Sequence, residues 1–416
     1  MPSRLQPLPV RQGDSPTGEA APPGQVLSVG PQHSRPARLQ PASVVVACAA
    51  AVGGALLIYQ WAGGIPLWLD EEMLALNVRG RTLVELAGPL WLAQSAPFGW
   101  LAAERLVLLA AGGSEQALRA LPLLFGLGTL ATAAWIGARW LGPWGGGVLT
   151  LLCAFSPWLS YHAVELKPYS ADAFWGLLLP ALAAWILEGE GNADARRDRL
   201  RVAAWWTAAA VSHWFGTAAL LVTPACAIVL HVVLWRRHGW RVTSLAALPA
   251  LGWLASFGLH YLASFQHALG SGYLQTYWSF AMPPPGAGIT ATLGWLGSRL
   301  HPLAVKPVGT SHWLLFWFLV GGGVAVATRA RPAAGVLLAA VPLSAFAWAG
   351  LRLVPMFERL SLWIVPALFV AIGIAAAALA RLARAAIARR HLVALGAAMA
   401  GAVAVIVVSA DIADDG

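Results

Sequence analysis

Residues 44–73 read VVVACAAAVGGALLIYQWAGGIPLWLDEEM. The run from Val44 to Ala62 carries no charge and has nearly the ~20 apolar residues that a transmembrane helix requires. Three carboxylates, Asp70, Glu71 and Glu72, follow shortly afterwards. A long polar segment precedes the run, so we predict a retained signal-anchor rather than a cleaved signal peptide.

The composition indicates a membrane protein. The 416 residues are 58% hydrophobic and only 11% charged, with a mean hydropathy of +0.67. Soluble domains carry about 25% charged residues. Further apolar runs lie at 116–138, 145–161, 171–188, 202–213, 214–235, 243–263, 311–328, 333–351, 360–379 and 392–410. We predict an all-α polytopic membrane protein with about eleven transmembrane helices.

The positions of Lys and Arg predict the orientation. The net charge is +9, but the arginines lie between apolar runs, which argues against a nucleic-acid partner. With residues 1–42 as a disordered cytoplasmic tail, eighteen of the 27 basic residues are cytoplasmic and nine are outside. This is the bias of the positive-inside rule. We expect a multi-pass inner (plasma) membrane protein with a cytoplasmic N-terminus and an acidic outer tail, 411–416.

Two predicted outer segments are longer than simple connections. Residues 64–115 contain two amphipathic stretches, 70–88 and 97–112. Residues 264–310 contain aromatic residues and three consecutive prolines. Such stretches usually lie along the membrane interface, and long connections carry function more often than short ones. We expect the chemistry at the outer face.

The first candidate group is the acidic sequence Leu69-Asp70-Glu71-Glu72-Met73. One interpretation is structural: acids favour the first turn of a helix because of its dipole. The other is a general base at the membrane surface, where partial desolvation tunes a carboxylate pKa. The spacing leaves both open.

The second candidate group is Tyr161-His162-Ala163-Val164-Glu165-Leu166-Lys167-Pro168-Tyr169. The chain has only two lysines, Lys167 and Lys306, and both precede proline in predicted outer segments. A compact ammonium suits a phosphate ligand. The alternative is a local Glu165–Lys167 pair within a turn.

Arg359 and His213 are the remaining candidates. Arg359 lies at a predicted membrane edge, where it either binds a lipid phosphate or extends its guanidinium towards water. His213, at the outer end of a predicted span, is either a substrate contact or a packed side chain.

Several nucleotide and metal motifs are absent from the sequence. It has no phosphate-binding loop ending in Lys-Ser or Lys-Thr, no GxGxxG motif and no His/Cys spacing typical of zinc. The sequence therefore lacks a soluble nucleotide-binding domain. The run Gly321-Gly322-Gly323 lies in an apolar span and predicts close helix packing.

Four pieces of sequence occur in a fixed order between about residue 60 and about residue 380: Leu69-Asp70-Glu71; Gln94-Ser95-Ala96-Pro97 followed by Ala117 to Gly126; Ser156-Pro157 leading to Glu165-Leu166-Lys167-Pro168-Tyr169-Ser170; and Pro355-Met356-Phe357-Glu358-Arg359. Through them the chain resembles the integral-membrane glycosyltransferases of the GT-C class, in particular the protein O-mannosyltransferases and the aminoarabinose transferase of lipid A. Ser95-Ala96-Pro97 replaces a His-Pro-Pro segment frequent in relatives, and Arg359-Leu360 replaces an Arg-Tyr pair.

The resemblance implies a GT-C-like domain over 43–410 that moves a sugar from a polyprenyl-phosphate donor to an outer acceptor: lipid, glycan or protein. It implies catalytic acids at Asp70, Glu71 and Glu165 and donor-phosphate binding by Lys167 and Arg359. We also expect Tyr169, Gln94 and His213 to contact substrate. No cofactor is expected, although adjacent acids could hold a divalent cation.

The expected reaction is an inverting transfer with Asp70 as the general base. The main alternative is a transporter or lipid flippase. Transporters place ionisable groups near the bilayer midplane, whereas the charges here gather at the predicted outer surface. This distribution favours an interfacial enzyme.

Overall fold

The computed structural model describes residues 41–188 and 194–388, and these ranges contain helices and no strand. The predicted tail up to residue 40, the predicted span 392–410 and the acidic residues 411–416 lie outside the described residues. In lipid, a helix satisfies its own backbone hydrogen bonds, which explains why the long apolar runs within the described residues become helices.

The first membrane helix leads into a folded outer segment. The helices are α1 (Pro41–Ala62), α2 (Leu69–Gly80), α3 (Leu83–Leu86), α4 (Phe98–Ala111) and α5 (Glu115–Leu118), with a 3₁₀ turn at Trp91–Ala93. Thr82 and Glu85 form a reciprocal capping box that begins α3. The two predicted amphipathic stretches are therefore helical, the first ending at α3 and the second forming α4.

The next four helices contain a tight reversal. They are α6 (Ala120–Ile136), α7 (Gly142–Phe155), α8 (Pro157–His162) and α9 (Tyr169–Leu187), with a π-helical turn at Gly137–Leu141. Gly142 has φ +69°, which lets the chain turn back. A Cβ atom on Gly137 would lie 2.7 Å from the Cα of Gly146, so only glycine allows the two helices to meet this closely.

The middle of the chain continues the up-and-down pattern. Its helices are α10 (Ala195–Ser212), α11 (Ala218–His238), α12 (Trp240–Ala247), α13 (Pro249–His260) and α14 (Gln266–Leu269), with a π-helical turn at Tyr261–Phe265. Gly239, with φ +77°, ends α11 and begins α12. The chain thereby returns across the bundle without a long loop.

The last part combines the second outer segment with three long helices. The helices are α15 (Gly272–Tyr277), α16 (Ile289–Ser298), α17 (Leu300–Leu303), α18 (Trp313–Ala330), α19 (Pro332–Gly350) and α20 (Val365–Ala388); shorter turns occupy Ser279–Ala281, Ala304–Val308 and Glu358–Ile364. Within the predicted glycine packing run, Gly323 packs directly against the backbone of Ala371, whereas Gly321 and Gly322 have open space.

The protein is a multi-pass helical membrane protein. Among the described residues, eight helical segments are long and apolar enough to cross a bilayer. One of them, Ala120–Phe155, contains the α6–α7 reversal. Helix α10 is excluded because Arg196, Arg197, Asp198, Arg199 and Arg201 occupy its first turns. The predicted number of eleven stays a prediction, since 392–410 is outside the described residues.

The bundle has two ends of different chemistry. The start of α9 and α11 and the end of α19 lie at one end, together with the first outer segment. The ends of α6, α9, α11 and α18 lie at the other. Following the predicted orientation, we call these the outer end and the inner end.

Candidate active site

The three acids that open α2 contact three different groups of cations. Glu72 pairs with Arg79 at 2.8 Å, within the same helix. Glu71 pairs with Arg119, and Asp70 pairs with Lys167 and Arg359. Successive residues on a helix point about 100° apart, so adjacent acids face different neighbours. One short sequence thus supplies both a structural tie and a cavity-lining acid.

Glu71 is the structural tie. Its side chain is 2% exposed. Arg119 donates to both of its oxygens, at 2.9 and 2.6 Å, and the backbone N–H groups of Leu166 and Trp68 donate at 2.7 and 2.8 Å. Arg119 also donates to the carbonyl oxygens of Ile65 and Pro66. The carboxylate is fully occupied and does not line the cavity, so its geometry favours a structural role over the catalytic role predicted for it.

This tie positions the residues on either side of it. Glu71 accepts a hydrogen bond from the backbone N–H of Leu166. Asp70 precedes Glu71 and Lys167 follows Leu166, so this bond also brings Asp70 and Lys167 together. The Lys167 Nζ lies 3.1 Å from Asp70 Oδ1. The Arg359 Nη2 lies 3.4 Å from Asp70 Oδ2. Asp70 is therefore held between two cations that come from distant parts of the chain.

Lys167 is almost inaccessible, with 6% of its side chain exposed, whereas 27% of Asp70 is exposed. Its Nζ donates to the Gln94 Oε1 at 2.7 Å. Burial lowers the pKa of the Lys167 ammonium because it removes water from the charged form, and Asp70 opposes this by favouring the charge. Asp70 is therefore the main contact that favours the charged form of this buried lysine.

A cavity of about 550 Å³ lies over this cluster. The described residues bring Asp70, Lys167, Arg359, Gln94 and Tyr169 together in its lining. Arg359 also lies over the Tyr169 ring, with its Cζ 5.8 Å from the ring centroid. One side of the cavity thus carries an acid, two cations and hydrogen-bonding groups.

Another part of the lining is aromatic. It comes from the second outer segment and consists of Phe265, Tyr273, Tyr277 and Trp278. The rings of Tyr273 and Tyr277 stack with centroids 5.9 Å apart. Sugars and lipid chains present apolar faces that such rings can cover, while a polar tip remains free for hydrogen bonds. We refer to these four residues as the aromatic wall.

A second acid in the lining, Asp172, is one that sequence reasoning missed. It lies in the first turn of α9, and its Oδ1 accepts the N–H of Ala218 at 2.8 Å, at the start of α11. The carboxylate thus caps a neighbouring helix. Its position inside an apolar run was the only available signal, because an acid within a span is rare.

Glu165 and His213 do not line the cavity. Glu165 is 4% exposed, and its carboxylate pairs with the ring of His162 beneath the cavity wall. His213 is fully buried, and its Nδ1 lies 3.1 Å from the Nδ1 of His260. Both predicted roles needed a side chain that reaches the cavity, and packing points these two elsewhere. Their geometry favours structural roles.

The same geometry bears on the expectation that adjacent acids could hold a divalent cation. Within residues 41–188 and 194–388, no group of three or more His, Cys, Asp or Glu side chains could hold a metal ion. Asp70, Glu71 and Glu72 each pair with a different cation and so do not converge on one point.

Comparison with known proteins places this geometry in context. No protein-family model matches the sequence, and no curated protein sequence matches it. Solved structures do match. ArnT from Cupriavidus metallidurans in its apo state superposes with a TM-score of 0.52 at 18% identity, over 83% of this chain and 61% of that chain. Bound to undecaprenyl phosphate, ArnT gives 0.54 at 17% identity, over 88% and 74%.

A second enzyme gives a similar result. The oligosaccharyltransferase of Archaeoglobus fulgidus in its apo form superposes with a TM-score of 0.53 at 9% identity, over 89% of this chain and 55% of that chain. ArnT and this oligosaccharyltransferase are both glycosyltransferases of one fold class. The chain has the GT-C fold.

The GT-C fold confirms the architecture that the sequence resemblance implied. At identities below 20%, the superposition establishes the fold and not the reaction. The chain spans 61% of the length of apo ArnT and about half of the archaeal enzyme. The activity therefore has to be argued from the residues of the cavity.

Proposed function

We propose that this protein is a membrane glycosyltransferase that moves a sugar from a polyprenyl-phosphate donor to an acceptor at the extracytoplasmic face of the inner membrane. The observation that carries the proposal is the position of Asp70 between Lys167 and Arg359 in the lining of a cavity at the outer end. The likeness to ArnT bound to undecaprenyl phosphate supports a lipid phosphate as the ligand.

The two cations suit a phosphate. An ammonium and a guanidinium at one place bind phosphate oxygens with charge-assisted hydrogen bonds. Both currently contact Asp70, so an arriving donor phosphate competes with the carboxylate for them. Once the phosphate takes the cations, Asp70 is released to accept a proton. The same contacts thus link donor binding to activation of the base.

The reaction then proceeds in one displacement. The acceptor hydroxyl oxygen forms a bond to the anomeric carbon while its proton passes to Asp70. The bond between that carbon and the phosphate oxygen breaks, and its electron pair stays on the polyprenyl phosphate. Lys167 and Arg359 stabilise the charge that develops there. Attack from the face opposite the phosphate inverts the anomeric configuration.

The remaining lining residues serve recognition in this proposal. Tyr169 lies under Arg359 and keeps that side chain over the cavity. Gln94 fixes the Lys167 ammonium. The aromatic wall covers the apolar face of the sugar or the first isoprene units of the donor.

The test uses two acids from the same helix. A deletion strain is complemented with the wild type, with Asp70→Asn or with Glu72→Gln, and its envelope glycans are compared by mass spectrometry. General-base catalysis contributes about 10²–10⁴-fold, so Asp70→Asn should abolish the glycan. Among the described residues Glu72 pairs with Arg79 alone, and it lies outside the cavity lining, so Glu72→Gln should restore the glycan. A wild-type glycan profile with Asp70→Asn would contradict the proposal.

A further inference from the structure

A second cavity of about 640 Å³ lies at the inner end of the bundle. Four arginines from four different elements line it: Arg139, Arg237, Arg331 and Arg381. The proposed transfer takes place at the other end of the bundle and uses none of them.

Among the described residues, the basic mouth of the cavity contains one lining acid, Glu188. The Arg139 Nε and Nη2 donate to Glu188 at 3.0 and 2.6 Å, and the Arg331 Nη1 lies 3.6 Å from it. Burial by itself would raise the pKa of Glu188, but the hydrogen bonds from Arg139 and Trp140 prevail and lower it. The acid is ionised, so it neutralises only one of the four positive charges.

The interior of the cavity is apolar. Its lining runs along α9 from Leu187 at the mouth to Gly176, and includes Pro180, Ala181 and Ala184. Eleven residues of helix correspond to about 16 Å, roughly half of the ~30 Å hydrocarbon layer. The described lining residues therefore combine three excess positive charges at the membrane surface with an apolar channel that reaches towards the bilayer centre.

This combination matches one class of ligand. A soluble anion would use the arginines but leave the channel empty, and a neutral lipid would use the channel but leave the charges without a partner. Basic pockets between transmembrane helices at the cytoplasmic side suit acidic lipid head groups. We propose that the inner cavity binds an anionic phospholipid, with its phosphate among the arginines and an acyl chain along α9.

The charge arrangement allows a matched experiment. Arg331→Gln/Arg381→Gln removes two charges from the cavity mouth, where both side chains are solvent-exposed. Arg236→Gln/Arg241→Gln removes two exposed charges at the same membrane face, from residues outside the lining. Both variants change the net charge equally, so they differ only in whether the charges belong to the cavity.

Binding of dioleoylphosphatidylglycerol to the full chain in detergent is measured by native mass spectrometry, with dioleoylphosphatidylcholine as the neutral probe. Each basic residue at an acidic membrane surface contributes about 1 kcal/mol, so the cavity variant should bind about 30-fold more weakly. The control variant should stay within about twofold of the wild type. Equal weakening in both variants, or equal binding of phosphatidylcholine, would overturn the proposal.

A second pair of variants leaves every arginine in place. Ala184→Leu fills the apolar channel, and Ala204→Leu adds the same atoms to an exposed position on α10. Ala184→Leu should weaken phosphatidylglycerol binding, whereas Ala204→Leu should leave it unchanged. Glycerol 3-phosphate, which has no acyl chain, should not compete with phosphatidylglycerol for the cavity. If glycerol 3-phosphate competes at equal concentration, the site is a soluble-anion site. If undecaprenyl phosphate binds there and phosphatidylglycerol does not, the assigned lipid is wrong.

Discussion

The outer and inner cavities both combine acids with cations, but the excess of positive charge is much larger in the inner cavity. In the outer cavity one acid, Asp70, contacts two cations, and the aromatic wall forms another part of the lining. In the inner cavity one acid, Glu188, lies among four arginines, and the interior is lined by small and aliphatic residues. A nearly balanced cluster can exchange partners and release a base, whereas an excess of fixed charge can only retain an anion. In our two proposals, this difference separates a reactive site from a binding site.

The largest expected effect comes from removing the buried ion pair between Glu71 and Arg119, which lies next to the outer cavity. Breaking a buried ion pair by removing one partner costs about 3–5 kcal/mol, because the other charge stays buried without compensation. Glu71→Gln or Arg119→Gln should therefore lower the unfolding temperature strongly and reduce the folded yield. The measurement is thermal unfolding in detergent, followed by tryptophan fluorescence.

The control for that prediction is Arg79→Gln, which removes a partly exposed pair within the same helix. Exposed pairs contribute about 0–1 kcal/mol, so this variant should unfold close to the wild type. Equal unfolding temperatures for the Arg119 and Arg79 variants would show that the tie does not hold the site together.

Part of the difference between the two cavities could be predicted from the sequence. Uncharged runs predicted the helices because the bilayer leaves few other solutions, and the acids after α1 and the scarcity of lysine pointed to Asp70 and Lys167. The contact between Glu71 and Arg119 spans 48 positions of sequence and depends on how α2 packs against the start of α6. The sequence pattern carries no distance of that kind, so it could not show that Glu71, Glu165 and His213 lie outside the cavity lining, and the roles predicted for them stay predictions.

The inner cavity was missed for a different reason. Its arginines lie between apolar runs, and the positive-inside rule accounts for them without any ligand. Only the fold shows that arginines from four elements converge around one channel. Asp172 was missed likewise, because an acid inside an apolar run gives no hint of which helix it caps.

A pH profile sharpens the comparison, because only the outer cavity holds a buried lysine. Lys167 must be protonated to stabilise the leaving phosphate, and burial lowers its pKa below the ordinary value near 10.4. As the pH rises, the transfer rate should therefore begin to fall at a lower pH than it would with an exposed lysine. Above that point it should fall by about tenfold for each further pH unit. Replacing Lys167 with Arg, which stays charged, should move this decline to higher pH.

That profile is measured as transfer rate in membranes supplied with a labelled polyprenyl-phosphate sugar. Lys306 is exposed and lies outside the lining, so Lys306→Arg is the matched control and should leave the alkaline decline in place. An identical decline in the Lys167→Arg enzyme would mean that another group is responsible.

The smallest expected effect concerns the aromatic wall. An aromatic contact contributes about 0.5–1.5 kcal/mol beyond its buried area, so Tyr277→Ala should raise the apparent KM for the donor by about two- to tenfold. Tyr59→Ala, on an exposed face of α1, should change nothing. If the Tyr277 variant lowers kcat with KM unchanged, the wall acts on the reaction and not on recognition.

The most direct test is the affinity for undecaprenyl phosphate of the wild type, Asp70→Asn and Lys167→Gln/Arg359→Gln. If the lipid phosphate takes the cations from Asp70, the Asp70→Asn protein should bind it at least as tightly as the wild type, although it no longer transfers sugar. The variant without both cations should bind much more weakly. Loss of binding in Asp70→Asn, or unchanged binding without the two cations, would contradict the account.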